Sequence, residues 1–269
     1  MSAKPEPKDP EYLSTLERGL SVLRAFDHDH PEMQLSEVAA VARLSPAVAR
    51  RCLNTLVRLG YVAQHGRRFV LRPEVLEFGS AYLSSMNIEQ IVLPQLQALR
   101  DQTGDSSSLA VRSGQDVLYL AHVSTNRHIR IGAGVGTRFP WHAASLGKAL
   151  AAFQPEDALA ALLAAAPFQR FTERTITTAP AMRAALEAVR AHGYAAAQDE
   201  LDYGIVSVSV PLFGADRHAI AAINCSTSTT RIAQDELVRT RVPLLREAAQ
   251  ELEAALRRWP VLERSLTAL

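Results

Sequence analysis

The sequence lacks the features that would place the protein in a membrane or make it depend on disulfides or a metal. It has no run of about 18 or more apolar residues, the length that a membrane-spanning helix requires. Its two cysteines, Cys52 and Cys225, are far apart, so we interpret them as small apolar core residues of a cytoplasmic protein. Neither His-Glu-x-x-His nor Cys-x-x-Cys occurs, and we therefore expect no metal site and no cofactor.

The N-terminal segment lacks the apolar stretch of a signal peptide. Residues 1–13 are instead rich in proline and lysine, which predicts a flexible tail. The chain has 269 residues, more than one small domain needs, so two domains are expected.

Acidic residues are missing from one segment of a chain that is otherwise nearly neutral. Between residues 43 and 72 there are seven arginines and no Asp or Glu, although the whole chain has a net charge of only +1. A local positive field of this kind is typical of a surface that binds phosphate groups.

The same segment has the pattern of a helix-turn-helix. Apolar residues at helical spacing predict a first helix over 16–26, and Ser36 is predicted to cap a short second helix. Ser45-Pro46 then predicts the start of a third helix that ends before Gly60. Two short helices joined by a tight turn at 43–44 indicate helix-turn-helix geometry.

The two faces of the third helix predict its role. Val48, Cys52 or Leu53, Leu56 and Leu59 are predicted to point inward. Arginine can recognise guanine and asparagine can recognise adenine, whereas other basic side chains hold phosphates. Together with the wing described below, the predicted DNA-binding residues are Ser36, Ser45, Pro46, Ala47, Arg50, Arg51, Asn54, Arg58, Arg67 and Arg68.

A hairpin is predicted directly after the third helix. Residues 61–64 and 67–71 are strand-like and flank His65-Gly66, so Arg67 and Arg68 lie at the tip. A basic hairpin beside a recognition helix gives a winged helix-turn-helix over 14–72. The alternative is a solvated basic face on an unrelated small domain, which the agreement of several local signals disfavours.

The remaining residues predict a linker helix and an α+β domain. Pro73 is expected to begin an apolar linker helix over 73–87, and Asn87 to cap a helix over 88–103. The second domain spans 88–260. Its predicted strands are 108–111, 117–123, one near 129–133, 194–197, 205–213 and 219–225, and its further helices are 144–153, 155–165, 180–193 and 234–258.

Catalytic motifs are weak in this second domain. Gly147-Lys148 resembles part of a phosphate-binding loop, but Ala149 stands where Ser or Thr is required. The acidic residues Asp199, Glu200 and Asp202 are interpreted as a solvated loop rather than a catalytic cluster, because no nucleophile accompanies them. We therefore predict no catalytic residues; the alternative hypothesis is an enzyme domain fused to a DNA-binding head.

A binding pocket is better supported. Residues 136–147 form a small-residue segment that leads into a helix, whose free N–H groups suit a carboxylate. Polar residues alternate with apolar ones on two strands and need partners, either a ligand or neighbouring backbone. The predicted effector-binding residues are Trp141, His142, Ala144, Ser145, Leu146, Gly147, Ser207, Asn224 and Ser226.

Five segments taken in series resemble the IclR family of bacterial transcriptional regulators over about residues 16–258. They are LERGL to RAF at 16–26, LNTLVRLGYV at 53–62, GTRFP at 136–140, ASLGKA at 144–149 and AAINCS at 221–226. Within the family the chain is most similar to the branch that governs aromatic-acid catabolism through protocatechuate, p-hydroxybenzoate and β-ketoadipate. Residues 67–76 and 81–85 carry this likeness, whereas Lys148 stands where that branch often has Arg, and DYG at 202–204 where it has Glu-Glu-Gly.

The resemblance implies a GAF/PAS-like sensor domain and a homodimer or tetramer that binds double-stranded DNA at a palindromic promoter site. It implies an effector at the 144–147 helix start, at Ser207 and on the strand of Asn224 and Ser226. The expected effector is a small carboxylate, either an aromatic acid or a ring-cleavage product.

Overall fold

The structure is a computed structural model that describes residues 11–125 and 132–267. The chain divides into two compact units, one ending at Tyr82 and the other beginning at Leu83. Within the described residues, no helix is both long and apolar enough to cross a membrane.

The first unit combines three helices with a small antiparallel sheet. Its elements are α1 (Ser14–Arg24), β1 (Glu32–Gln34), α2 (Leu35–Val41), α3 (Pro46–Leu59), β2 (Val62–His65) and β3 (Arg68–Leu71). The sheet order is β1-β3-β2. Phe69 of the central strand β3 pairs with Met33 of β1 on one side and with Gln64 of β2 on the other. Met33, Phe69 and Leu53 are buried in one core with the apolar faces of α1 and α2, which is the winged helix-turn-helix arrangement expected from the sequence.

Three details of this unit differ from the sequence predictions. Gln34, not Ser36, precedes the first turn of α2, and its N–H donates to the Glu37 carboxylate at 2.6 Å. β1 was not predicted, because three residues are too few to show an alternating pattern. Leu59 is 62% exposed rather than inward, while Ala49 takes the buried position on that face.

The linker begins with a short 3₁₀ turn, Pro73–Val75, and continues as α4 (Leu76–Ser85). No residue of α4 is buried. Leu76 and Phe78 are 71% and 58% exposed, so the apolar character of the linker stays on the surface of the single chain.

The helix expected over 88–103 is two helices, α5 (Ile88–Ile91) and α6 (Leu93–Thr103). Pro94 follows the break directly, and a proline cannot supply the N–H that a continuous helix needs there. Asn87 precedes α5 in a left-handed conformation, and its side chain forms no capping hydrogen bond, contrary to the prediction.

The second unit is built on a six-stranded antiparallel sheet of order β6-β5-β4-β9-β8-β7. The strands are β4 (Ser106–Ser113), β5 (Asp116–Val123), β6 (Arg138–Pro140), β7 (Ala195–Gln198), β8 (Ile205–Phe213) and β9 (Ala219–Ser228). The helices are α7 (Ser145–Ala152), α8 (Glu156–Leu163), α9 (Ala179–His192), α10 (Gln234–Arg258) and α11 (Pro260–Thr267).

The alternation of side chains along β8 shows which helix covers each face of this sheet. Ser207 and Ser209 on β8 contact Ser145 at the start of α7. Leu212, of opposite parity, lines an apolar space with Leu252 of α10 and Ile88 of α5. Because successive side chains point to opposite faces of a sheet, α7 covers one face and α10 the other.

Most predicted elements of this unit are present, with some differences, and β4 extends two residues beyond each end of its predicted range 108–111. β6 and α11 were not predicted, and β9 extends three residues beyond the predicted end at Cys225. The strand expected near 129–133 begins at residues outside the described part of the chain, and residues 132–133 carry no strand.

Candidate functional sites

The first candidate site is the exposed face of α3. Ser45 accepts a hydrogen bond from the Val48 N–H at 3.4 Å, and Gly60 ends the helix with a φ of +86°, a conformation that favours glycine. These two ends give a helix of about 20 Å at 1.5 Å per residue. Five predicted DNA-binding positions are exposed on one arc of about 100°: Ala47, Arg50, Arg51, Asn54 and Arg58.

The charge on this face is mostly uncompensated. Arg50, Arg51, Arg58 and Arg67 have no carboxylate partner within 4 Å in the part of the chain that the structure describes. Arg68 differs, because its Nε lies 3.6 Å from the Glu32 carboxylate. Both partners are about half exposed, so this ion pair is weak and leaves Arg68 accessible.

The other predicted DNA-binding residues flank the same surface. Ser45 and Pro46 are exposed at the start of α3, and Arg67 is exposed at the tip of the β2–β3 hairpin. Ser36 is exposed in the first turn of α2. An exposed basic helix beside a basic hairpin can contact base edges and phosphates together.

The second candidate site is a cavity between α7 and the sheet. Six predicted effector-binding residues line it: Ala144, Ser145, Leu146, Ser207, Asn224 and Ser226. They meet because the start of α7 lies over β8 and β9, and because residues two apart on a strand share a face. The first turn of a helix leaves N–H groups without carbonyl partners in the helix, so this end of the cavity favours an anion.

Three hydroxyl groups form a cluster at this helix start. Ser145 Oγ donates to Ser207 Oγ at 2.8 Å and lies 2.6 Å from Ser209 Oγ. All three side chains are buried. Hydroxyls can rotate to donate or accept, so the cluster can reorganise around the oxygen atoms of a ligand.

Asn224 connects the cavity to a second chain of polar groups. Its Oδ1 accepts a hydrogen bond from the Ser108 N–H at 2.9 Å. Ser108 Oγ lies 2.9 Å from His122 Nδ1, and His122 Nε2 lies 3.0 Å from Ser124 Oγ. Burial lowers the pKa of His122, which favours the neutral imidazole in this chain.

Trp141, His142 and Gly147 support the cavity from behind rather than line it. Trp141 Nε1 donates to Gln115 Oε1 at 3.1 Å, and its ring packs edge-on to Phe168 at 5.4 Å. His142 stacks on Phe168 at 4.9 Å and its Nε2 donates to the Gln169 carbonyl at 2.9 Å; burial lowers the pKa of this histidine. A Cβ on Gly147 would lie 2.1 Å from the Trp141 carbonyl oxygen, so only glycine fits there.

Several lining residues were not predicted from the sequence. Tyr119 and Phe139 form an aromatic wall with their rings 5.4 Å apart. Burial raises the pKa of Tyr119, so its hydroxyl stays protonated. Alternation along β5 could have placed Tyr119 on a buried face, but no local signal points it at this cavity. The other lining residues that the prediction missed are Ala143, Ala197, Glu200, Leu201 and Ile205.

Glu200 corrects the interpretation of the acidic cluster as a solvated loop. Its side chain is only 11% exposed and forms an ion pair with Lys148, whose side chain is 4% exposed. Burial raises the pKa of Glu200 and lowers the pKa of Lys148, while the attraction between the two charges opposes both shifts. Asp202, in contrast, is exposed as expected.

The loop that carries Glu200 is held against a neighbouring loop. Thr175 Oγ1 donates to the Glu200 carbonyl at 2.7 Å, and Thr172 Oγ1 donates to the Asp199 carbonyl. The cavity beneath this loop has a volume of about 40 Å³. An engineered cavity known to hold benzene measures roughly 150 Å³, so an aromatic ligand requires the loop or the walls to move outward.

Comparisons with known proteins identify a related domain in each unit of the chain. Residues 15–66 match the IclR helix-turn-helix domain and residues 80–254 match the bacterial transcriptional regulator IclR C-terminal domain. The chain is 34% identical to the Pca regulon regulatory protein of Pseudomonas putida, covering 91% of this chain and 84% of that protein. It is 32% identical to the p-hydroxybenzoate hydroxylase transcriptional activator of Acinetobacter baylyi, covering 92% and 93%.

A solved structure extends the likeness to the whole fold. An IclR homolog from Microbacterium hydrocarbonoxydans, complexed with 4-hydroxybenzoate, is 26% identical with a TM-score of 0.74, covering 91% of this chain and 99% of that one. The two domain matches follow each other along the chain, and the relatives named above match most of its length. The chain belongs to the IclR family of bacterial transcriptional regulators.

Proposed function

We propose that the protein controls genes of aromatic-acid degradation by binding a small aromatic carboxylate in the cavity between α7 and the sheet. The observation that carries the proposal is the composition of this cavity. It combines a helix start and a cluster of buried hydroxyls with an aromatic wall.

Each part of such a ligand has a counterpart in the cavity. The carboxylate would accept hydrogen bonds from the first-turn N–H groups of α7 and from the hydroxyls of Ser145 and Ser207. The ring would pack against Tyr119 and Phe139, where offset or edge-on contacts are favourable. The two curated relatives named above and the 4-hydroxybenzoate complex support this ligand class.

The DNA-binding role rests on the exposed face of α3 and the hairpin. We assign base recognition to Arg50 and Asn54, because both can make bidentate contacts with a base edge. Arg51, Arg58, Arg67 and Arg68 are assigned to phosphates, which fix the position of the protein on the duplex.

The protein is proposed to act as a homo-oligomer on a palindromic promoter site. Support comes from apolar side chains that one copy leaves exposed in its first unit, including Leu16, Leu59, Leu76 and Phe78. Leu16, Leu59 and Phe78 border an open apolar cavity of about 610 Å³ between α1, α3 and α4. A second copy would cover this surface, and a two-fold dimer matches two inverted half-sites.

A regulatory rather than catalytic role is proposed for the second unit, because the relatives are named as transcriptional regulators. In the described residues no group of three or more His, Cys, Asp or Glu side chains is placed to hold a metal ion.

The test is titration of the protein onto the DNA upstream of its own gene, followed by fluorescence anisotropy. A scrambled duplex of the same length is the control, at two salt concentrations, with and without 4-hydroxybenzoate and protocatechuate. We expect preference for the upstream DNA and a change in affinity with one of the acids. Equal, strongly salt-dependent affinity for both duplexes would leave only general phosphate binding and contradict the proposal.

A further inference from the structure

The most unusual polar group in the cavity is the second carboxylate oxygen of Glu200. Its Oε1 accepts the hydrogen bond from Lys148 Nζ. Its Oε2 is buried and, among the described residues, has no hydrogen-bond partner. Glu200 is one of the residues that line the cavity, so an outward movement of the walls would expose this oxygen to a bound molecule.

The ion pair decides what kind of group Oε2 accepts. The attraction of the Lys148 ammonium favours the ionised carboxylate against the effect of burial, and an ionised carboxylate is only an acceptor of hydrogen bonds. A buried acceptor without a partner is unfavourable, and a donor that reaches it removes this penalty. A ligand carboxylate at the same position would be repelled by the like charge.

The two polar groups that line the cavity therefore differ in the hydrogen-bonding partner that each requires. The start of α7 and its hydroxyls supply donors for an anion. Glu200 supplies an unpaired acceptor, fixed in place by the Lys148 ion pair and by the Thr175 bond to its backbone. Aromatic and apolar side chains line the same cavity, among them Tyr119, Phe139, Leu201 and Ile205.

We propose that Glu200 selects effectors that carry a hydroxyl group in addition to their carboxylate, by accepting the hydroxyl hydrogen at Oε2. Lys148 is a positioning residue, which orients Glu200 and keeps it charged. This inference rests on the proposed aromatic-acid function and adds the chemistry of the ligand's second end. It predicts 4-hydroxybenzoate as a ligand and the rejection of its isostere 4-methylbenzoate, which replaces the hydroxyl by a methyl group.

Isothermal titration calorimetry of the full chain with these two acids tests the proposal. We expect 4-hydroxybenzoate to bind about tenfold or more tightly than 4-methylbenzoate, because only the hydroxyl satisfies Oε2. Equal affinities in the unmodified protein would overturn the role of Glu200 but leave the aromatic-acid function intact. Binding of neither acid would overturn the aromatic-acid function itself.

Variants of Glu200 and Lys148 then test whether the preference for the hydroxyl-bearing acid depends on Glu200. A single Glu200→Leu change would leave Lys148 buried and unpaired. The double variant Lys148→Met with Glu200→Leu is used instead, because an apolar pair can replace a buried ion pair with little loss of folding stability. We expect its hydroxyl preference to fall to less than about threefold. Lys148→Met with Glu200→Gln keeps an amide oxygen as acceptor and should retain part of the preference.

Asp202→Asn is the matched control, because it removes an exposed acid from the same loop. We expect its hydroxyl preference to equal that of the unmodified protein. A double Leu variant that keeps the full preference would contradict the proposal. Thermal unfolding of each variant shows whether it is folded, and the two-ligand comparison on the unmodified protein stands without any variant.

Discussion

Gly147 has only a hydrogen atom where other residues have a side chain, and this allows α7 to approach Trp141 closely. A Cβ on Gly147 would lie 2.1 Å from the Trp141 carbonyl oxygen and 2.5 Å from its Cα. Both contacts are with backbone, which cannot rotate away as a side chain can. We expect Gly147→Ala to lower the free energy of unfolding by about 1–3 kcal/mol or more and to weaken effector binding at the adjacent helix start.

Urea unfolding followed by tryptophan fluorescence measures this effect, because Trp141 is itself buried in the contact. Gly134→Ala is the control in the same unit, since a Cβ there meets only Thr137 Oγ1 at 4.0 Å. We expect the control to unfold at nearly the same urea concentration as the unmodified protein. A midpoint for Gly147→Ala that equals the control would show that the close approach is unimportant.

The residues of the DNA-binding face are expected to differ in what they recognise. If Asn54 contacts adenine, Asn54→Ala should cost about 1–3 kcal/mol on the operator and little on scrambled DNA. If Arg67 holds a phosphate, Arg67→Ala should weaken both duplexes alike and reduce the slope of log affinity against log salt by about one. Anisotropy titrations at several salt concentrations separate the two, and equal losses on both duplexes for both variants would contradict these assignments.

Site residues were predictable where their neighbours are close in sequence or share a strand. The 144–147 segment and the polar positions on β8 and β9 could be selected because alternation and helix starts are local properties. Glu200 could not, because its partner Lys148 is 52 residues away and the pair is buried only by tertiary packing. Trp141 and His142 were selected for their proximity to the helix, but Gln115 and Phe168 hold their rings behind the cavity.

At the scale of elements, a buried aspartate connects the sheet to the longest helix. Asp105 lies just before β4 and is fully buried; Arg241 Nε of α10 donates to its Oδ2 at 2.8 Å, and Arg231 donates to its Oδ1. Asp105→Asn would leave two partly buried arginines without their anion. We expect a loss of about 3 kcal/mol of unfolding free energy, at the lower end for a broken buried ion pair because both arginines are partly exposed.

Chemical denaturation of the full chain checks this value. Asp101→Asn is the control, because Asp101 pairs with Arg100 near the same place but its side chain is 66% exposed. An exposed pair contributes little, so the control should change stability by less than about 0.5 kcal/mol. Similar losses in both variants would show that burial does not strengthen the Asp105 contacts.

Elements with strong local signals were predicted well, and short ones were not. The start of α3 at Ser45-Pro46 and its end at Gly60 follow from capping chemistry, and β8 and α10 follow from long periodic runs. β1 and β6 have three residues each and exist only because a neighbouring strand pairs with them. The break between α5 and α6 was missed because the apolar pattern continues across Pro94.

At the scale of the whole molecule, the apolar surface of the first unit is the feature that a single chain leaves unexplained. Leu16 and Phe78 are 61% and 58% exposed beside the same open apolar cavity. Exposed apolar patches on a folded protein commonly mark contacts with another protein. If two copies meet here, a charge placed in the contact should separate them, because an isolated buried charge is strongly unfavourable.

We therefore expect Leu16→Asp to shift the protein towards monomer in sedimentation velocity experiments at micromolar concentration. Val261→Asp is the matched control, because Val261 is similarly exposed but lies on α11 in the other unit. Since Leu16 is exposed in the single chain, neither change should unfold the protein, which thermal unfolding can verify. An unchanged sedimentation coefficient for Leu16→Asp would place the contact elsewhere. A shift accompanied by weaker binding to the palindromic duplex, but not to a single half-site, would connect assembly directly to operator recognition.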